Sequence, residues 1–105
     1  MEIAVVDGQG GGIGRSIVEK LKAELPGIKV VALGTNSVAT GQMLKAGADD
    51  GATGENAIVH NMKHVDVVVG VVGILTANSM MGELTPDMAV AIGGSHTYKD
   101  RKSVV

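Results

Sequence analysis

The chain has 105 residues and a formal net charge of −2, with 45% hydrophobic residues but no Phe, Trp or Cys and a single Tyr. That length suits one domain, and the mixed charge makes no basic face for nucleic acid. The lack of Cys excludes disulfides and thiolate chemistry, and the core must be built from Val, Ile, Leu, Ala and Met. The first strand is expected over 2–7, where Ile3-Ala4-Val5-Val6 is apolar on both faces, as in a parallel sheet covered by helices. The chain begins Met-Glu-Ile and enters this strand at once, which leaves no room for a signal peptide. Helix 1 follows over 12–25, with Ile13, Ile17, Val18 and Leu21 on one face, and Pro26-Gly27 ends it. Strand 2 is read over 28–33. Gly34-Thr35-Asn36-Ser37 is a loop that also caps helix 2, read over 38–46 with Ala39, Met43 and Ala46 inward and Gly47 as its stop. Strand 3 is short, near 48–52.

Thr53 is expected to cap helix 3 over 54–64, with Ile58, Met62 and Val65 inward. The opening of that helix, Thr53-Gly54-Glu55-Asn56, would then offer a second anion site. Strand 4 is the Val-rich run over 66–72. The longest apolar stretch, 65–77, is broken by Asp66 and too short to span a bilayer, so a soluble cytoplasmic protein with no membrane partner is expected. Thr85-Pro86-Asp87 reads as cap, first-turn proline and acid of a helix 4 over 86–92. Residues 94–105 are a polar tail or an irregular fifth strand beyond a domain over 1–93. Alternating strands and helices give a three-layer α/β, Rossmann-like fold, with helices on both faces of a parallel sheet ordered 3-2-1-4. The switch point, where ligands bind in open α/β sheets, lies between strands 1 and 4.

The densest signal is Asp7-Gly8-Gln9-Gly10-Gly11-Gly12-Ile13-Gly14, set between strand 1 and helix 1. Helix N-terminal amides and the positive end of the dipole favour phosphate there. The spacing G-x-G-x-x-G fails from Gly8 and from Gly10. The spacing G-x-x-x-G-x-G fits, with Gly8, Gly12 and Gly14. In this the loop resembles that of the short-chain dehydrogenases/reductases, with Asp7 where that superfamily usually has Thr. The resemblance implies that Gly8 makes the tight turn, Gly12 admits a pyrophosphate and Gly14 lets helix 1 pack on the sheet. Gly10 and Gly11 are expected to loosen the loop, so that a ligand orders it.

The candidate cofactor residues are Gly8, Gln9, Gly10, Gly11, Gly12, Ile13, Gly14 and Arg15 from the loop, Thr35 and Asn36 after strand 2, and Gly73 and Asn78 after strand 4. Strand 2 ends without the Asp or Glu that holds the ribose 2′-hydroxyl of NAD. NADP is therefore admitted more readily than NAD, with Arg15 the nearest cation. Thr35-Asn36-Ser37 reads equally as a turn and cap. FMN, an adenine nucleotide or a coenzyme A fragment are the other ligands. The short-chain dehydrogenase pair Tyr-x-x-x-Lys is matched by Tyr98 and Lys102. In that superfamily the pair lies on a long helix beyond the point this chain reaches, whereas here it lies in a polar tail. No residue is assigned to catalysis. His60 and His64, four apart on helix 3, have the spacing of a shared metal, but no third ligand is evident nearby. They are read as a solvated helix face, and no metal is assigned.

Taken together, the loop, Ala32-Leu33-Gly34-Thr35-Asn36, Gly51-Ala52-Thr53-Gly54-Glu55-Asn56-Ala57 and Ala77-Asn78-Ser79-Met80 resemble a small bacterial family of unknown function, DUF3842, over about 1–93. The resemblance implies a Rossmann-like fold and no established activity. Members end in an apolar strand where this chain is polar. That leaves the Val-rich strand 4 as an open edge, which invites pairing with another chain, and a homodimer is expected. The leading expectation is a nucleotide-binding protein holding an NAD(P)-type dinucleotide. The alternatives are an NADP-dependent oxidoreductase and a non-catalytic regulatory or assembly module.

Overall fold

The structure, a computed structural model, describes residues 1–70 and 103–104. Along the chain it has β1 (Glu2–Asp7), α1 (Gly12–Glu24), β2 (Lys29–Gly34), α2 (Ser37–Lys45), β3 (Asp50–Thr53), α3 (Glu55–Asn61), β4 (Val67–Gly70) and β5 (Ser103–Val104). The sheet order is β3-β2-β1-β4-β5 and every pairing is parallel. The α/β architecture and the order 3-2-1-4 are those expected. Gly73, Asn78, the helix expected over 86–92, Tyr98 and Lys102 lie outside the described residues.

β1 and β2 are buried along nearly their whole length, because each packs on both faces. One face gathers Val5, Val30 and Ala32 with Val18 of α1 and Met43 of α2, edged by Ile17 and Leu21. The other gathers Ala4, Val6, Val31, Leu33 and Val68 under Ile58, Met62 and Val65. This two-sided burial is why a chain without large aromatics closes a core. Each fully buried Val or Leu contributes roughly 1.5–3 kcal/mol.

Two boundaries differ for identifiable reasons. Ala48 does not start β3, because its N–H donates to Met43 O as α2 exits through Gly47 at φ +113. Thr53 does not cap α3. It is the last residue of β3, and its hydroxyl donates to Thr40 Oγ1 at 2.8 Å. Gly54 takes the cap position at φ +96 with no side-chain bond, and α3 is only 7 residues long. The helix opening expected at 53–56 is therefore capped one residue later, at Gly54. Ile13 also departs from expectation. It is 59% exposed, because it sits on the first turn of α1, and Gly14 and Val18 take the buried positions instead.

β5 lies beside β4 at two positions, Val67↔Ser103 and Val68↔Val104. Among the described residues, Val69 and Gly70 have no strand partner on that side.

At the opposite end of the sheet, polar contacts pin the strand starts. Asp49 accepts from Val30 N at 2.8 Å and from Lys22 Nζ at 2.9 Å. The bond from the Val30 amide, then that from Lys22, holds the Asp49 carboxyl below its ordinary value of 3.8. Lys29 lies 3.1 Å from Asp50 and 3.4 Å from Glu2. The hydrogen bond to Asp50, then the charge of Glu2, raises it above 10.5. A lowered folded-state carboxyl stabilises the fold above its unfolded value and loses that effect as pH falls through the folded value. Asp49→Asn is therefore expected to lower the urea midpoint at neutral pH, with the gap to the parent closing as the pH falls below 3.8. A gap that persisted unchanged into acid would show that the Asp49 charge is not what matters.

Candidate functional site

The carboxyl ends of β1 and β2 and the first turns of α1 and α2 meet at the glycine loop. β1 delivers Asp7 buried at 3% exposure. One of its oxygens accepts from Gly8 N at 2.7 Å and the other from Gly14 N at 2.5 Å. The carboxylate thus spans the loop from its first residue to the first turn of α1. Sequence reading placed Asp7 only as a departure from Thr. The signal that could have found its role was an acid directly before a helix opening that has no capping side chain of its own.

The turn is closed by Gly11 N donating to Gly8 O at 3.0 Å. Its left-handed residues are Gln9 at φ +50 and Gly11 at φ +74, rather than Gly8. Gly11 has no slack. A Cβ on it would lie 2.7 Å from Ala39 Cα, so the start of α1 abuts α2. Gly14 is equally constrained, since its Cβ would lie 2.8 Å from Asp7 Cβ, Asp7 Oδ2 and Met43 Sδ. This is the close helix-on-sheet packing expected of Gly14. By contrast a Cβ on Gly10 or Gly12 would meet nothing within 4 Å. Gly8, Gly11 and Gly14 are buried, whereas Gln9, Gly10, Gly12 and Ile13 are exposed.

The first amides of any α-helix lack an intrahelical acceptor. Here Asp7 serves Gly14 and Gly8 O serves Gly11. Among the described residues the amides of Gly12 and Ile13 are left over, beneath open space. They lie at the positive end of a 13-residue helix.

β2 ends against the same loop. Thr35 N donates to Asp7 O at 3.0 Å, extending the β1–β2 ladder by one bond. The Thr35 hydroxyl is buried without a hydrogen-bond partner, alone in this among the described side-chain polar atoms. Asn36 caps α2 by accepting from Ala39 N at 2.9 Å, and its Nδ2 donates to Gln9 O at 3.1 Å. This amide therefore ties the loop to the start of α2. The guanidinium of Arg15 donates to Gln42 Oε1 at 2.8 Å and to Glu19 Oε1 at 3.1 Å, along the seam of α1 and α2. Of the expected site residues, the structure brings Gly8 to Arg15, Thr35 and Asn36 together.

The space around each glycine separates their roles. Gly14→Ala is expected to cost about 1–3 kcal/mol through overpacking against Asp7 and Met43. Gly12→Ala places a good helix former in open space, and it should leave stability unchanged or raise it by up to about 1 kcal/mol. Urea denaturation of both variants tests the contrast, and equal losses would contradict it.

No helix of the described residues is long and apolar enough to cross a membrane. No curated protein and no solved structure matches the chain. A family model, that of a domain of unknown function (DUF3842), matches residues 2–100. With nearly the whole chain covered by that match, and its fold an α/β parallel sheet with a glycine loop at the sheet's carboxyl edge, the chain belongs to the DUF3842 family.

Proposed function

We propose that this protein binds a nucleotide, with an NAD(P)-type dinucleotide held by its pyrophosphate at the loop of residues 8–14. The observation that carries this reading is the pair of amides at Gly12 and Ile13, open at the N-terminus of α1 with no Cβ to block approach at Gly10 or Gly12. Oriented amides and the helix dipole together favour an anion. The site lies at the carboxyl edge of a parallel sheet, beside the β1–β4 switch point where such folds bind ligands. The Thr35 hydroxyl, at the end of β2, is buried and has no hydrogen-bond partner among the described residues, which leaves a polar group unsatisfied on the side where a ribose is expected.

Asp7 orders the ligands. Its buried charge lies one residue from the cradle, so repulsion grows with ligand charge. A terminal phosphate carries about −1.5 to −2 at neutral pH, whereas each phosphate of a pyrophosphate diester carries about one charge. A dinucleotide therefore places less charge on the phosphate nearest Asp7 than FMN or an adenine mononucleotide does. Strand β2 ends in Gly34, Thr35 and Asn36, with no carboxylate to repel a 2′-phosphate, so NADP is the first ligand to test. The reading is of holding a ligand rather than turning it over. Among the described residues the acid at the loop, Asp7, has both oxygens engaged by backbone amides.

A thermal-shift and calorimetric panel of NADP, NAD, FAD, FMN, ADP and coenzyme A tests this reading. A ligand at about 100 times its Kd stabilises by roughly 2.7 kcal/mol. NADP is expected to give the largest shift, and Gly12→Val is expected to stay folded and abolish it. An equal response from folded Gly12→Val would remove the loop as the site.

A homodimer belongs to the same proposal, since among the described residues β5 pairs with β4 at Val67 and Val68 alone, and the backbone of Val69 and Gly70 would pair with a second copy. Size-exclusion chromatography with light scattering is expected to give twice the chain mass, and a monomer at high concentration would end this part.

A further inference from the structure

Away from the loop, His60 and His64 bring two metal-ligating side chains together. His60 lies in the last turn of α3 and His64 in the turn after it, where His64 N donates to Asn61 O at 3.0 Å. Both are exposed, and their ring centroids are 4.9 Å apart with planes inclined at 59°. Among the described residues, neither ring nitrogen pair is taken up by a hydrogen bond or ion pair. The spacing decides what they can do. A tetrahedral ion bound to two imidazole nitrogens at about 2.0–2.1 Å sets the ring centroids about 5 Å apart. The observed separation matches that of a chelate.

We propose that His60 and His64 chelate one divalent transition-metal ion through one nitrogen each, with water in the remaining coordination positions. Imidazole selects the class. Zn²⁺, Ni²⁺ and Cu²⁺ suit it, whereas Ca²⁺ and Mg²⁺ demand oxygen ligands. Two protein ligands set a modest affinity and leave open positions, unlike the closed four-ligand sets of structural zinc sites. The site is distinct from the glycine loop, since α3 packs on the sheet face opposite α1 and α2.

The test titrates the metal-free full chain with ZnCl₂, NiCl₂, CuCl₂ and MgCl₂ by calorimetry. Cu²⁺ broadening of histidine ring-proton signals then locates the ion. One ion per chain is expected for Zn²⁺, Ni²⁺ and Cu²⁺ and none for Mg²⁺, with broadening at His60 and His64. His60→Ala and His64→Ala should each weaken binding by about tenfold or more, and the double variant should abolish it. Both positions are exposed, and circular dichroism of each variant checks that it remains folded. No heat with any of these ions at millimolar concentration, full binding by the folded double variant, or broadening centred on His96, the third histidine of the sequence, would each overturn the proposal.

Discussion

A carboxylate that is buried must be hydrogen-bonded or it costs several kcal/mol, and Asp7 meets that demand with the two amides on either side of the glycine loop. The bond to Gly14 reaches the first turn of α1 and the bond to Gly8 fixes the start of the turn, so one side chain sets both ends of the loop. Anionic groups near a helix N-terminus are also stabilised by the dipole. The same contact thereby satisfies the acid, caps a helix that has no side-chain N-cap of its own, and determines which amides of the first turn remain open. A threonine at this position has one oxygen in place of two and could not bridge both amides with separate acceptors. The loop geometry and the charge beneath the cradle come together, and neither can be changed alone.

The glycines around that carboxylate divide by what lies beside them. Gly11 and Gly14 let backbone and side chains of neighbouring elements approach to distances no Cβ tolerates, and the same holds for Gly34 against Thr40 and Asn36. These positions hold α1 and α2 against each other and against the sheet. Gly10 and Gly12 have no such neighbours. Packing explains the first group, whereas the second lies in open space, as Gly27 and Gly41 also do. A loop of several glycines is therefore two overlapping sets, one closing the fold and one opening a surface.

Much of the fold was legible because parallel sheets write a strong pattern. The continuous apolar runs of β1 and β2, the Ile58-Met62-Val65 stripe and the stops at Pro26-Gly27 and Gly47 each follow from one dominant local force. What was not legible depended on partners distant in sequence. Thr53 has the composition of a helix cap, yet a hydroxyl 13 residues away, on Thr40, makes it a strand end. Ile13 fits the helical period but lies on the first turn, where the packing positions belong to Gly14 and Val18. Asn36 was legible as a cap, but its bond to Gln9 O, 27 residues back, was not. Periodicity reports which face an element buries and is silent about which loops will touch.

Those long-range contacts limit how the site can respond to a ligand. On one flank the loop is held by Asn36 and by the abutment of Gly11 on Ala39. Beneath, it is held by Asp7. Its exposed residues are Gln9, Gly10, Gly12 and Ile13, and the Gln9 carbonyl accepts from Asn36. A loop braced in this way loses less conformational entropy on binding than a free glycine segment would, because the positions that cost most to order are already ordered by the fold. The five glycines and one acid that looked like flexibility in sequence thus make a surface braced from beneath and from one flank.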